Sequence, residues 1–312
     1  MSSKATKIVG GIVVLAAIGY GAYYYANQTA NDVMIQKVNA YLVENKLQDK
    51  ITWEKSEASV AGSGTFYNVI VKDENTESVI KLQKLHITKL EQSEDGGAAE
   101  FSFEGASDAN GKSIFLKDFA SAGGMDDSDL EDLGYDASLP LLNGEVKSNY
   151  SKKANDSSLF FKLNQEQVGD VSFDVKAIET NAFIDKALEL KKLPEDQVDP
   201  SLLMGPLTTM KLSKLEVSFD DKGVLAKAKA AGGAQEIKAE ECQFGLAMMG
   251  VSDQAEEFCK SVIAFADGSK KTIALKVNPA QPYPVINFMT LGQSGMPDFN
   301  KLVKDLNLTI TN

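Results

Sequence analysis

Residues 51–92 read ITWEKSEASVAGSGTFYNVIVKDENTESVIKLQKLHITKLEQ, and their texture decides the fold. Within ITWEKSEASVA, TFYNVIVKD and VIKLQKLHITKLEQ, apolar and polar residues alternate. That is the period of a strand with one buried and one wetted face. GSG and DEN, which separate the three runs, are turn formers. The same alternation continues in AAEFSFEGA, KSIFLKDFASA, GEVKSNYSKK, SSLFFKLNQ and GDVSFDVKAIE. Strands this dense, joined by short breaks, predict one large antiparallel sheet, curled or stacked.

Helical periodicity enters later. NAFIDKALELKKL is one candidate, and a helical pair carries Cys242 and Cys259. Between them KLSKLEVSFDDKGVLAKAKA reads as a hairpin. The tail predicts a strand in KTIALKVNP, a short helix from Asp298 to Asp305 and a last strand in NLTITN. The fold class expected is therefore α+β: a β-rich, mainly antiparallel body with a few C-terminal helices. PEDQVDPSLLMGP, with its prolines, is the best linker. KLQKLHIT from Lys81 and KLSKLEVS from Lys211 echo one another across it. Either a sheet module is duplicated, or two Lys/Leu-rich strands share a restricted composition.

Upstream of the strands, Ile8 to Tyr25 (IVGGIVVLAAIGYGAYYY) run 18 residues without a charge. As a helix they would span about 27 Å, close to a bilayer's hydrocarbon thickness. Tyr20, Tyr23, Tyr24 and Tyr25 gather at one end, where aromatic rings suit the lipid–water interface. Lys4 and Lys7 precede the run, so the short N-terminus should stay cytoplasmic and the rest be exported. Cleavage after Ala26 or Ala30 would put Tyr24 or Gln28 at the −3 position, where a peptidase needs a small residue; an uncleaved signal anchor is expected. The organisation read is a cytoplasmic tail at 1–7, a transmembrane helix at 8–25 and a helical stalk at 26–50. A β-rich domain at 51–193, a linker at 194–206 and a second α+β module at 207–312 follow. In the stalk, Ile35, Val38, Tyr41 and Leu42 form the expected apolar stripe.

Composition narrows the functions open to such a chain. Its 312 residues hold 32 basic and 44 acidic side chains, for a net charge of −12, and every basic residue is lysine. Without a guanidinium fork for phosphate or guanine, a nucleic-acid partner is not expected. Setting Lys4 and Lys7 aside leaves the exported part at −14. Anionic headgroups repel such a body, so the membrane is a partner through the N-terminal helix alone.

Catalytic and metal-binding candidates are few. No P-loop, dinucleotide GxGxxG, HExxH or GxSxG occurs, and His86 is the single histidine. No catalytic residue, cofactor or metal is therefore expected. Paired carboxylates acting on an envelope polymer remain an alternative that only geometry can decide. Asp126, Asp127, Asp129, Glu131, Asp132 and Asp136 concentrate acid in GGMDDSDLEDLGYD. The glycine and distal glutamate of an EF-hand are absent, while Ser128 and Glu131 fit a helix capping box ending near Gly134. A solvated turn is expected there, with calcium as the alternative. Met204, Met210, Met248, Met249, Met289 and Met296 crowd the C-terminal third. They suggest core filling or an adaptable apolar site. Cys242 and Cys259 are the sharpest local feature: an even pair in a chain bound for an oxidising compartment predicts a disulfide.

The anchor, the stalk and the stretches ITWEKSEASVAGSGTFYNVIV, PLLNGEVKSNYSKKANDSSLFFKL and LSKLEVSFDDKGVLAKA resemble membrane-anchored periplasmic proteins of Gram-negative bacteria loosely grouped with AsmA-like envelope proteins. The resemblance is one of pattern over most of the chain. It implies a single-pass protein of the bacterial inner membrane with its C-terminal domain in the periplasm. It further implies a β-rich groove associated with lipid movement, although the chain is far shorter than members that bridge two membranes. The function expected is non-enzymatic binding of a hydrophobic or lipid ligand, or of an envelope protein partner. A structural or adaptor ectodomain is the alternative.

Overall fold

The computed structural model describes residues 33–44, 47–59, 63–73, 78–93, 95–113, 140–190, 199–230, 237–248, 250–289 and 298–312. The expected membrane helix at 8–25, the acidic segment from Asp126 to Asp136, Met249 and Met296 lie outside them. Among the described residues no helix is long and apolar enough to cross a membrane.

The chain opens with helix α1 (Val33–Glu44) and strands β1 (Ile51–Thr52), β2 (Lys55–Ala58), β3 (Gly64–Asp73), β4 (Ser78–Ser93) and β5 (Gly96–Ala106). After β6 (Leu142–Ser151), β7 (Asp156–Gln165) and β8 (Gly169–Ile178) come α2 (Asn181–Leu190) and β9 (Lys211–Asp221). The C-terminal third holds α3 (Val224–Ala230), α4 (Ala239–Met248), α5 (Ala255–Ala266), β10 (Thr272–Val277), β11 (Tyr283–Pro284), α6 (Phe299–Asp305) and β12 (Leu308–Thr311). The sheet order is β1-β3-β4-β5-β6-β7-β8-β9-β10-β12, with β2 on β3 and β11 on β9. The expected α+β class and its large antiparallel sheet are present.

Two compact units divide the chain. The first comprises residues 1–149, 161–171 and 221–234. Its strands turn one apolar row inward: Phe66 faces Leu85, which faces Phe103, and Gly64 faces Ile87, which faces Phe101. All these side chains except the glycine's absent one are buried, together with Val69, Leu82 and Leu90. The helix α1 docks here through Met34, Val38 and Leu42, spaced four apart and buried. Ile35, expected on that stripe, is half-buried. Three residues at i, i+4 and i+8 hold one line on a helix, and Ile35 stands about 100° round from Met34.

The second unit comprises residues 150–160, 172–220 and 235–312. Leu215 pairs with Val277 and Val217 with Leu275, and Leu212, Val277 and Leu306 centre a core that Val175 and Phe288 join. On the alternate positions Lys214 reaches Asp174 at 2.6 Å and Glu216 at 3.4 Å, and Lys276 reaches Glu216 at 3.3 Å. These half-exposed pairs form the wetted face that the strand period demands.

One expectation is corrected. KLSKLEVSFDDKGVLAKAKA is no hairpin: β9 ends at Asp221 and α3 follows within the first unit. The Asp221 carboxylate accepts from the backbone N–H of Gly223 at 3.2 Å and of Leu225 at 3.0 Å, which caps the helix start. Beyond that cap VLAKAKA is rich in alanine and lysine, both strong helix formers. In the expected 194–206 linker, Asp199 caps a turn of 3-10 helix at Pro200–Leu203, and Met204–Leu207 continues helically.

Candidate functional site

The alternating sequence after β9 gives way to AEECQFGLAM, whose apolar residues do not line one side. Its first turn carries Glu240 and Glu241, well placed against the positive end of the helix dipole. The result is α4, a helix with no buried side chain of its own. Gly250, at φ +83°, makes the turn that follows, and the Val251 N–H bonds the Leu246 carbonyl at 2.9 Å. The next helix, α5, is amphipathic and buries Ala255, Phe258 and Cys259.

Cys242 and Cys259 are joined in a disulfide with their Cα atoms 5.8 Å apart, which ties α4 to α5. Leu246 rests on a cluster of Val251, Phe258 and Val303, and α5 is fixed in turn by Ser261, whose hydroxyl donates to the Ile310 carbonyl at 3.0 Å. Phe219 and Phe265 meet edge to face at 5.9 Å. Asn300 accepts from the backbone N–H of Ser252 and Asp253, and Lys304 binds Asp253 at 2.6 Å. The Lys304 ammonium holds the Asp253 carboxyl below its usual range, and Asp253 raises Lys304. The loop between α4 and α5 is therefore held by α6.

At about 100° per residue, Cys242 and Leu246 fall on one side of α4 and Phe244 and Met248 on the other. Phe244 is 67% exposed and Met248 69%. Ile237, just before the helix, is also exposed. A single exposed apolar residue is ordinary, but a Phe and a Met at i and i+4 make a contiguous apolar face.

Residues 162–312 match the model of a family described as "Uncharacterized protein". No curated protein matches the chain. The matched stretch begins in β7 and includes the whole of α4 and α5.

The other candidates resolve differently. His86 stands on β4 opposite Thr65, whose hydroxyl lies 2.8 Å from its Nδ1, in a strand pair rather than a cleft. Both sulfurs are consumed in the bridge, so neither is a thiolate nucleophile or ligand. Among the described residues no three His, Cys, Asp or Glu side chains gather to hold a metal. Of the methionines, Met204 and Met248 are at the surface and Met210 is half-buried, while Met289 sits in a helical turn.

Among the described residues Asp170 is a buried carboxylate with an unusual charge environment. Lys222 approaches at 2.7 Å and Lys162 at 3.1 Å, and the Asn164 amide donates to it. Burial pushes its pKa up, but hydrogen bonds from Lys222, Lys162 and Asn164 together hold it below the ordinary range. A carboxylate satisfied on every side is a structural knot and a poor proton acceptor. The exposed face of α4 was not singled out in the sequence. The signal available was Met248 four residues after Phe244, beside a cysteine.

Proposed function

We propose that the protein is a non-enzymatic, single-pass envelope protein of the bacterial inner membrane. Its body lies in the periplasm, where it binds a protein partner through α4. The observation that carries this reading is the Phe244–Met248 face, open to water on a helix stapled from behind. Aromatic and methionine side chains are enriched at protein interfaces, and leaving them wet costs roughly 1.5–3 kcal/mol each that a partner would recover. The apolar run at 8–25 and the lysine-only charge support the anchor, and a bridged cysteine pair is at home in an oxidising compartment. A protein partner is favoured over lipid cargo because the inner row of the first unit's sheet is taken up by buried Phe66, Leu85, Ile87 and Phe103, with Met34 of α1 against Gly64.

The test is a benzoyl-phenylalanine in place of Phe244, irradiated in cells that make the full chain. It should yield a covalent adduct with another protein, which the same probe at exposed Thr209 does not give. Met248→Asp should abolish the adduct while the bridge still forms. No adduct from position 244 removes the reading.

A further inference from the structure

We infer that α4 is the inserted element of a helix-in-groove contact, and that the groove belongs to a different protein and carries lysine or arginine at one end. This rests on the reading of α4 as a docking surface and adds the partner's chemistry and polarity.

The order of residues along the outward face gives it a polarity. With Phe244 taken as the centre, Glu240 lies one turn before it at i−4 and Glu241 at i−3, so both share its side of the helix. Met248 lies one turn after it. The face thus has an acidic N-terminal end and an apolar C-terminal end. Glu240 and Glu241 are exposed. Glu241 meets Lys238 only at 3.5 Å, with both side chains well solvated, and among the described residues Glu240 is in no ion pair. Such an exposed pair contributes little, which leaves both carboxylates available to a partner.

Cys242 and Leu246 project to the opposite side, so the disulfide fixes which face is presented. Apolar anchors at i and i+4 on a helix held from behind match the helix-in-groove mode. A Phe-and-Met slot bordered by basic residues would satisfy both ends of the face.

The same polarity disfavours the other occupants. Two copies of α4 packed parallel would set four carboxylates together. Packed antiparallel, they would press each apolar end onto the other's acids; either way desolvated charge is left unpaired. An anionic bilayer would meet the acidic end first and repel it.

The experiment uses the full chain with the photoreactive residue at 244. Glu240→Lys/Glu241→Lys should lower adduct yield at least tenfold, and raising salt to about 0.5 M should weaken the parent's adduct. Because lysines at a helix N-terminus can loosen the helix, Glu240→Gln/Glu241→Gln is made alongside and should give an intermediate loss. Glu256→Lys/Glu257→Lys, on α5, should leave the yield unchanged. Peptide mapping should place the link in an apolar groove with lysine or arginine nearby. An adduct of twice the chain's mass, a lipid adduct, or a yield indifferent to the two glutamates and to salt each overturns the inference while leaving a docking face. Loss of every adduct from position 244 overturns the docking reading itself.

Discussion

Asp170 shows what a single residue contributes. Its carboxylate is buried near the end of one strand, and three donors reach it from β7 and from the segment after β9. The folded pKa is lowered, so the stability it confers is fully present above its unfolded value of about 3.9 and is lost as pH falls through the folded value. Asp170→Asn keeps the shape but removes the charge that holds Lys162 and Lys222. We expect it to lower stability by about 1.5–3 kcal/mol at neutral pH. In denaturant titrations the gap to the parent should shrink as pH drops below about 4, because the parent then loses the same charge. A gap that stays constant down to the acid limit would show that shape, not charge, matters at this position.

At the scale of elements, α4 and α5 behave differently because only α5 buries a face. Closing the 17-residue separation between Cys242 and Cys259 contributes about 3 kcal/mol in the chain-entropy view. For α4 that bridge is a main hold, next to the contacts of Leu246. Cys242→Ala should therefore raise hydrogen exchange across residues 239–248 by roughly a hundredfold, while β10 and α5 keep their protection. Uniform loss of protection across the second unit would mean that the bridge supports the whole unit.

At the scale of the whole molecule, the proposed membrane anchor and export can be tested by topology. Lys4 and Lys7 stand before the apolar run, and the next lysine is Lys37. A phosphatase fused after Asn312 should be active, and a reporter that matures only in the cytoplasm should be dark. Lys4→Glu/Lys7→Glu should weaken or invert insertion. A bright cytoplasmic reporter on the unaltered chain would refute export, and with it the compartment assumed for the partner.

Much of the sheet could be read from local alternation, because a period of two is written into β3, β4 and β5 and survives as burial along β5; in β3 and β4 it slips by one residue, around Asn68 and after Ile87. The short helix expected from Asp298 to Asp305 is α6, and Asp298 proves to be its cap, accepting from the Lys301 N–H at 3.0 Å. Cys242 and Cys259 could be paired because the chain offers each no other cysteine. Where two local readings were close, the sequence misled. After Asp221, GVLAKAKA supports a second strand by its hairpin position and a helix by its propensity, and the Asp221 cap tipped it to helix. The stripe of α1 moved from Ile35 to Met34 because the surface of β3, with Gly64 leaving space for Met34, chose the angle.

By itself, then, the sequence determined what depends on neighbours in the chain: the strand alternation, the charge balance and the cysteine pairing. Only the tertiary structure decided what depends on distant partners. It put Lys222 and Lys162 on one buried aspartate, and it left Phe244 and Met248 uncovered, which their i, i+4 spacing beside Cys242 does not by itself decide. The physical reason is that burial belongs to a site rather than to a residue. Phe258 and Phe244 are equally apolar, yet one faces the cluster at Val303 and the other faces water, because the bridge at Cys242 holds the opposite side of α4 inward.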